Sequence, residues 1–265
     1  MKTTPWHARL ALTLALLLPV YFAVAALGTK FGLWDWKTGL LTLTMSAGPI
    51  VLGAVALFAL ISLVVTLWRK PRTGWKLALL ALLVPVAIVG MLGYIRSEAA
   101  QIPPIHDIAT DLSDPPRFSD EVLAARQAAS ANPLNDYQVP LGELEPWRGR
   151  AAELAKLSHA EIIAQSYPDL APLPLGAASP AEGVEAVAAA MREIGLSDVS
   201  TDPATGHVEG VAETFWFGFK DDVVVRVGDD RIDFRSVSRV GLSDLGANAA
   251  RIAELRSKVQ QRLDR

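Results

Sequence analysis

Two short segments of the 265-residue chain gather polar side chains of types that could do chemistry. The first, Ile105-His106-Asp107-Ile108-Ala109-Thr110-Asp111, brings one imidazole, two carboxylates and a hydroxyl into seven residues. His106 beside Asp107 could act as a base with its orienter, or supply two ligands of a metal site. Adjacent side chains diverge in an extended chain, which suits Asp107, Thr110 and Asp111 better to satisfying turns and backbone groups. His7, His159 and His207 stand in unrelated contexts, so no metal spacing is completed and neither a metal nor a cofactor is expected. The second segment runs from Arg231 to Asn248. Period two places Arg231, Asp233, Arg235 and Arg239 on one side of a strand and Ile232 and Phe234 on the other. That strand leads almost directly into a helix N-terminus, whose free amides and dipole favour an anion, so Arg235 and Arg239 could hold a carboxylate or phosphate there. The competing arrangement pairs Arg235 or Arg239 with Asp107, Asp111 or Asp244 and ties the first segment to the strand. An acidic domain with many internal partners favours the second arrangement.

Stronger catalytic signatures are missing. The chain has no Gly-x-Ser-x-Gly elbow, no phosphate loop ending in Gly-Lys-Ser/Thr, no His-Glu-x-x-His and no Gly-x-Gly-x-x-Gly after a strand. It also has no cysteine, which removes disulfides, thiolate nucleophiles and cysteine metal sites together.

The elements that must position the two segments are legible in the second half of the chain. Ser179-Pro180-Ala181-Glu182 places a hydroxyl at N-cap, proline at N1 and a carboxylate at N3, the pattern of a capping box. Val184, Val187, Ala188, Met191 and Ile194 follow at helical spacing, so a helix is predicted over 180–194. Four strands are predicted near 197–201, 207–218, 222–228 and 231–238, separated by turns at Asp202–Gly206, Lys220–Asp222 and Gly228–Asp230. Such short links require antiparallel neighbours. In the second strand Phe215, Phe217 and Phe219 share one face and are expected in the core. A last helix is predicted from Ser243-Asp244 to the C-terminus, with Leu245, Ala249, Ile252, Leu255, Val259 and Leu263 along one stripe. Laying it with the first helix across one sheet face gives an α+β domain, an antiparallel β-sheet covered by two helices. The stretch 119–160, broken at Asn132-Pro133, Pro140 and Pro146, is expected to be peripheral.

The first hundred residues are a different physical object. Residues 1–96 hold nine Lys/Arg and the single acid Asp35, while the remainder holds sixteen and twenty-seven, a net charge of +8 against −11. Three apolar runs, about 10–28, 41–68 and 75–95, are long enough to span a bilayer, show no polar stripe and contain no embedded charge. A signal peptide is the alternative for the first, given Lys2, Arg9 and Ala23-Val24-Ala25, but the run exceeds a usual signal core. The domain plan is therefore a three-helix transmembrane anchor over 1–96, a proline-rich tether over 97–118 and a soluble domain over 119–265. Arg69, Lys70, Arg72 and Lys76 crowd the second loop, which should be cytoplasmic. That puts everything after Arg96 on the extracytoplasmic side of a bacterial inner membrane. Trp34, Trp36, Trp68, Trp75 and Tyr94 fall at span ends, as interfacial anchors would. Without embedded ionisable groups a channel or pump is disfavoured, and the acidic domain disfavours nucleic acid.

Several stretches carry a family resemblance: PPIHDIATDLSDPP, YPDLAPL from Tyr167 to Leu173, and TFWFGFKDDVVVRV followed by RIDFRSVSRVGLSDLGANAARI. Over about residues 101–260, weakening between 119 and 160, the chain resembles the bacterial and plastid family called domain of unknown function 1499. The resemblance implies no activity. Its characteristic positions match His106, Asp107, Thr110, Asp111, Arg235, Ser236, Ser238, Arg239, Asp244, Gly246, Asn248 and Arg251, the two segments already singled out. The reading that follows is a membrane-anchored protein whose domain binds a small ligand, with an anion as the candidate, or another membrane protein. Two alternatives remain: an enzyme using His106/Asp107 as acid–base with an Arg235/Arg239 anion site, and a scaffold for an envelope complex.

Overall fold

A computed structural model describes residues 4–264, which leaves Lys2 of the basic N-terminal flank outside the described residues. The chain forms two compact units, residues 1–100 with Phe215–Gly218, and residues 101–214 with 219–265.

The first unit contains α1 (Trp6–Lys30), a π-helical stretch Lys37–Ala47 that runs on into α2 (Gly48–Trp68), and α3 (Trp75–Ala99). These make three apolar helical segments of 25, 32 and 25 residues, each long enough to cross a bilayer. In the π-helical stretch Thr44 and Ser46 donate their hydroxyls to carbonyls five residues back, at Gly39 and Leu41, which matches its wider turn. Small residues lie inside, among them Ala8, Ala11, Ala15, Ala59, Ala78 and Ala81, while Leu16, Leu17, Val20, Leu57, Val64 and Leu83 point out. Large residues outside and small ones at the crossings suit a lipid solvent, which offers no reason to hide Leu and rewards close backbone approach. Trp34 also packs inward: its indole donates to the Ala25 carbonyl at 3.1 Å and covers Gly28.

The second unit is built on a six-stranded antiparallel sheet. Its strands are β1 (Asp107–Ala109), β2 (Leu173–Pro174), β3 (Ser197–Asp202), β4 (His207–Glu213), β5 (Lys220–Val227) and β6 (Arg231–Ser238). The order is β1-β6-β5-β4-β3, with β2 also pairing to β6. Around the sheet lie α4 (Asp120–Ala128), α5 (His159–Ser166), α6 (Pro180–Glu193) and α7 (Ala247–Leu263). The antiparallel α+β plan and the two covering helices are as the sequence indicates. Helices α6 and α7 lie on one face, where Val184, Val187, Met191, Ile252, Leu255 and Val259 meet Val223, Val225, Ile232 and Phe234. Gly183 lets α6 approach closely, because a Cβ there would stand 2.8 Å from Val227 and 2.9 Å from Leu175. The α6 capping box forms as expected, with Ser179 and Glu182 satisfying each other's backbone amides.

Five expectations need correction. Strand β4 ends at Glu213 instead of running to 218, because Phe217 and Gly218 take left-handed conformations (φ 65° and 63°) that break the alternation. Phe215 is consequently 67% exposed, and Phe217 and Phe219 are only half-buried, so the three do not form core. Residues 107–109 are a sheet strand within the expected tether, and α3 extends to Ala99. The stretch 119–160 is not peripheral: it buries Arg126, Tyr137, Leu141, Trp147 and His159.

Candidate functional site

Strand alternation sorts the chemistry-bearing residues onto the two faces of the sheet. On the face opposite α6 and α7, Asp107 of β1 is paired in register with Val237, and Arg235 stands two residues earlier on β6. Both are buried, and the guanidinium grips the carboxylate with two bonds, Nε to Oδ1 at 3.0 Å and Nη2 to Oδ2 at 2.7 Å. The fork geometry of arginine suits a bidentate carboxylate. Tyr137 donates its hydroxyl to Asp107 at 2.6 Å, the Asn135 amide donates at 3.2 Å, and the Pro116 carbonyl accepts from Arg235 at 3.1 Å. The guanidinium also lies over the Phe118 and Tyr137 rings, with centroids 5.8 and 5.4 Å away. Burial alone would raise the Asp107 carboxyl, but the Arg235 charge and hydrogen bonds outweigh it and hold the group down at about 2. Against its burial, the Asp107 charge keeps Arg235 protonated, while burial and then the Asp107 charge push the Tyr137 hydroxyl well above its usual range.

Three further charge clusters continue this face. Asp222 of β5 binds Arg126 of α4 at 2.6 Å and Arg239 at 2.6 Å. Asp111 caps its own turn through the amides of Ser113 and Asp114, and its second oxygen meets Arg226 and Arg231, which also reach Asp233. Glu209 of β4 accepts from the Ser119 amide at 2.7 Å and hydroxyl at 2.6 Å, fixing the N-cap of α4 from across the sheet.

On the helix face a smaller network joins β5, β6 and α7. Ser236 donates to Asn248 Oδ1 at 2.6 Å, and the Asn248 amide donates to Ser238 Oγ and the His106 carbonyl. Arg251 adds bonds to Ser236, Asn248 and, at 2.7 Å, Asp221. Helix α7 begins at Ala247, after Gly246 in the left-handed region (φ 81°), and not at Ser243-Asp244. The Asp244 carboxylate caps it, accepting from the Gly246 and Asn248 amides at 2.8 and 2.9 Å. The anion position expected at this helix start is thus filled by the chain's own side chain.

His106 is fully buried, stacked on Trp147 with centroids 5.1 Å apart and planes at 9°. Neither ring nitrogen makes a hydrogen bond of good geometry among the described residues. His159 stacks on Tyr137, and its Nε2 lies 2.7 Å from the Asp107 carbonyl, an acceptor, so Nε2 carries the proton. Burial drives both imidazoles toward the neutral form. Thr110 uses its hydroxyl to accept from the Phe234 amide at 2.9 Å.

The expected site residues therefore separate into internal clusters. Asp107 meets Arg235, and Ser236, Ser238, Asn248 and Arg251 meet one another, but among the described residues His106, Asp107, Arg235 and Arg239 share no open cleft. The segment read as a Lys220–Asp222 turn is the start of β5, and both aspartates are buried. Arg126, Tyr137, Trp147, His159 and Glu209 were missed, being brought in by contacts at long sequence separation that no local pattern announces. A shallow groove of about 290 Å³ does open beside this network, lined by Leu196, Ala212, Glu213, Ala250, Arg251 and Glu254 among others. No group of three or more metal-ligating side chains occurs among the described residues.

Residues 107–259 match the model of the family described as Protein of unknown function (DUF1499). No curated protein and no solved structure matches the chain.

Proposed function

The chain belongs to the DUF1499 family, and from that premise we propose that it is a membrane-anchored binding protein, with its domain on the extracytoplasmic side of a bacterial inner membrane. The ligand site is the groove beside α7. One observation supports this choice over the two polar segments themselves: of the residues at family positions, Arg251 lines the groove, whereas Asp107, Arg235 and Asn248 are buried in internal pairs. Arg251 is neutralised by Asp221, and Glu254 adds negative charge to the rim. The groove therefore suits a small neutral or cationic molecule better than an anion. An acid–base mechanism at His106/Asp107 has little support, because a substrate would need to reach two fully buried side chains.

Orientation rests on the Arg69–Lys76 loop. Fusing reporters to the C-terminus tests it: activity of a periplasm-requiring reporter is expected, and activity only of a cytoplasm-requiring one overturns the topology. Native mass spectrometry of the full chain extracted from its own membranes tests the groove. A small-molecule adduct is expected, and Ala250→Trp should abolish it, since Ala250 is exposed and the indole would fill the groove. An adduct that persists in Ala250→Trp, or none in either protein, overturns the proposal.

A further inference from the structure

In the first unit charge is confined to the ends of the helices and divided unequally between them. At the end that carries the α2–α3 loop stand Arg9, Arg69, Lys70, Arg72 and Lys76, all exposed. At the other lie Lys30, Lys37 and Arg96 together with Asp35 and Glu98, the only acids of residues 1–100. The 25 residues of α1 hold the two sets about 37 Å apart. The first set is thus five cations with no carboxylate of this unit beside them, while the second is nearly balanced.

Packing brings Arg9 to the loop from a different helix. A Cβ on Gly74 would stand 2.8 Å from the Pro5 ring and 3.4 Å from Ala8, so the loop lies directly on the start of α1. Just inside, His7 Nδ1 and the Ser62 hydroxyl of α2 are 2.8 Å apart. Backbone carbonyls steady two of the guanidinium groups: Arg9 donates to Thr4 at 2.8 and 3.2 Å, and Arg72 to Leu67 at 2.9 Å. Each keeps further N–H donors unspent among the described residues. Around them Trp6 and Trp68 are 70% and 84% exposed, and Lys76 lies over the Trp75 ring at 5.9 Å. Neither α1 nor α3 has an acid in its first turn to offset the charge. An orienting bias needs only basic residues in a loop. Here cations from the loop and from two helices converge beside indole rings, which favour the headgroup depth.

We propose that Arg9, Arg69, Lys70, Arg72 and Lys76 form a binding site for the phosphate headgroup of an anionic phospholipid. The guanidinium forks match phosphate oxygens in pairs, and the lysines add point charges. A zwitterionic headgroup brings a cation of its own, which this cluster repels, so a lipid of net negative charge is selected. Each cation close to an anionic surface strengthens binding about fivefold. Bound lipid also offsets the mutual repulsion of the five side chains. The site is separate from the groove beside α7.

The full chain is reconstituted in nanodiscs of equimolar phosphatidylglycerol and phosphatidylcholine with matched acyl chains, and the lipids it retains are counted by native mass spectrometry. Both leaflets have the same composition, so the result does not depend on orientation. Phosphatidylglycerol should be retained several-fold over phosphatidylcholine. Arg72→Gln with Lys76→Gln should lower that ratio several-fold. Lys37→Gln with Arg96→Gln, the same loss of charge at the other end, should leave it unchanged. Equal retention of the two lipids by the unsubstituted chain would overturn the proposal, and that comparison depends on no variant folding. A ratio that responds alike to both double variants, or to neither, would overturn it as well. Inorganic phosphate added at fixed ionic strength should not displace phosphatidylglycerol; displacement would assign the site to a soluble anion and sink the lipid reading.

Discussion

Toward α6 and α7, strands β5 and β6 present Val223, Val225, Ile232 and Phe234, each fully buried against aliphatic side chains of the helices. Turned over, the same strands present Asp222, Arg226, Asp233 and Arg235, and their cover consists of Phe118, Val122, Arg126 and Tyr137. The first face is stabilised by apolar area removed from water, about 25 cal/mol per Å². The second holds charges whose desolvation is costly and whose value depends on complete pairing. An apolar face loses stability in proportion to what is removed. A paired charged face loses most when a single partner goes.

The largest effect should therefore follow Asp107→Ala. It leaves the Arg235 charge buried without its carboxylate, and a loss of about 3–5 kcal/mol is expected, measured by urea unfolding of the detergent-solubilised chain. Phe234→Ala should cost a similar 3–5 kcal/mol or so on the other face. What separates the two faces is rescue. Replacing the whole cluster by apolar groups, Asp107→Leu with Arg235→Met and Tyr137→Phe, should recover much of the first loss, since no charge or hydroxyl is left stranded. No second substitution should rescue Phe234→Ala beyond refilling its volume. Equal failure to rescue on both faces would show that the ion pair acts as no more than volume.

Acid separates the faces next. The carboxyl of Asp107 is depressed from 3.8 to about 2, so its contribution is complete above pH 4 and is lost as pH falls toward 2. His106 and His159 sit with Trp147 in the apolar cluster, and their folded values are depressed below 6.5. The unfolded chain takes up protons below 6.5 and the folded chain resists, so this stability is present above pH 6.5 and declines as pH drops. Each ring adds a slope of at most about 1.4 kcal/mol per pH unit. Unfolding curves from pH 7 to 5 should show that decline, and His106→Phe, which keeps a ring on Trp147, should remove one ring's share. A flat profile in that window would mean that the rings are protonated in the fold.

The contrast between faces also explains what the sequence disclosed. Alternation in Arg231–Ser238 was readable because one strand carries both patterns in turn, and the Ser179–Glu182 box because its partners are three residues apart. The pairing of Asp107 with Arg235 was readable as one of several options, since acids near the strand were few enough to name. By contrast, Tyr137 and Arg126 complete the charged face from 30 and 96 residues away in sequence, and single residues carry no period. The aromatic run at 215–219 misled because Phe-x-Phe-x-Phe looks like a buried strand, while the positive φ at Phe217 and Gly218 leaves no local mark. Asp221 and Asp222 were read as turn residues, although they pair across to Arg251 and Arg126.

A smaller effect is expected at the α4 cap, where the charged face reaches a helix terminus. Ser119→Ala should cost about 1–2 kcal/mol, because it removes the cap hydroxyl and one of the hydrogen bonds on buried Glu209. Hydrogen exchange should show faster opening of 120–123 with β5 unchanged. The smallest effect is at the rim, where Arg231 is 48% exposed and shares Asp111 with Arg226. Arg231→Ala should change stability by no more than about 0.5–1 kcal/mol, and even that should disappear at 1 M salt, where the screening length is about 3 Å. The Asp107→Ala loss should be nearly the same at low and high salt, because ions do not enter a fully buried pair. If salt weakened both alike, water would have access to the Asp107–Arg235 pair, and the charged face would be held as a solvated surface and not as a second core.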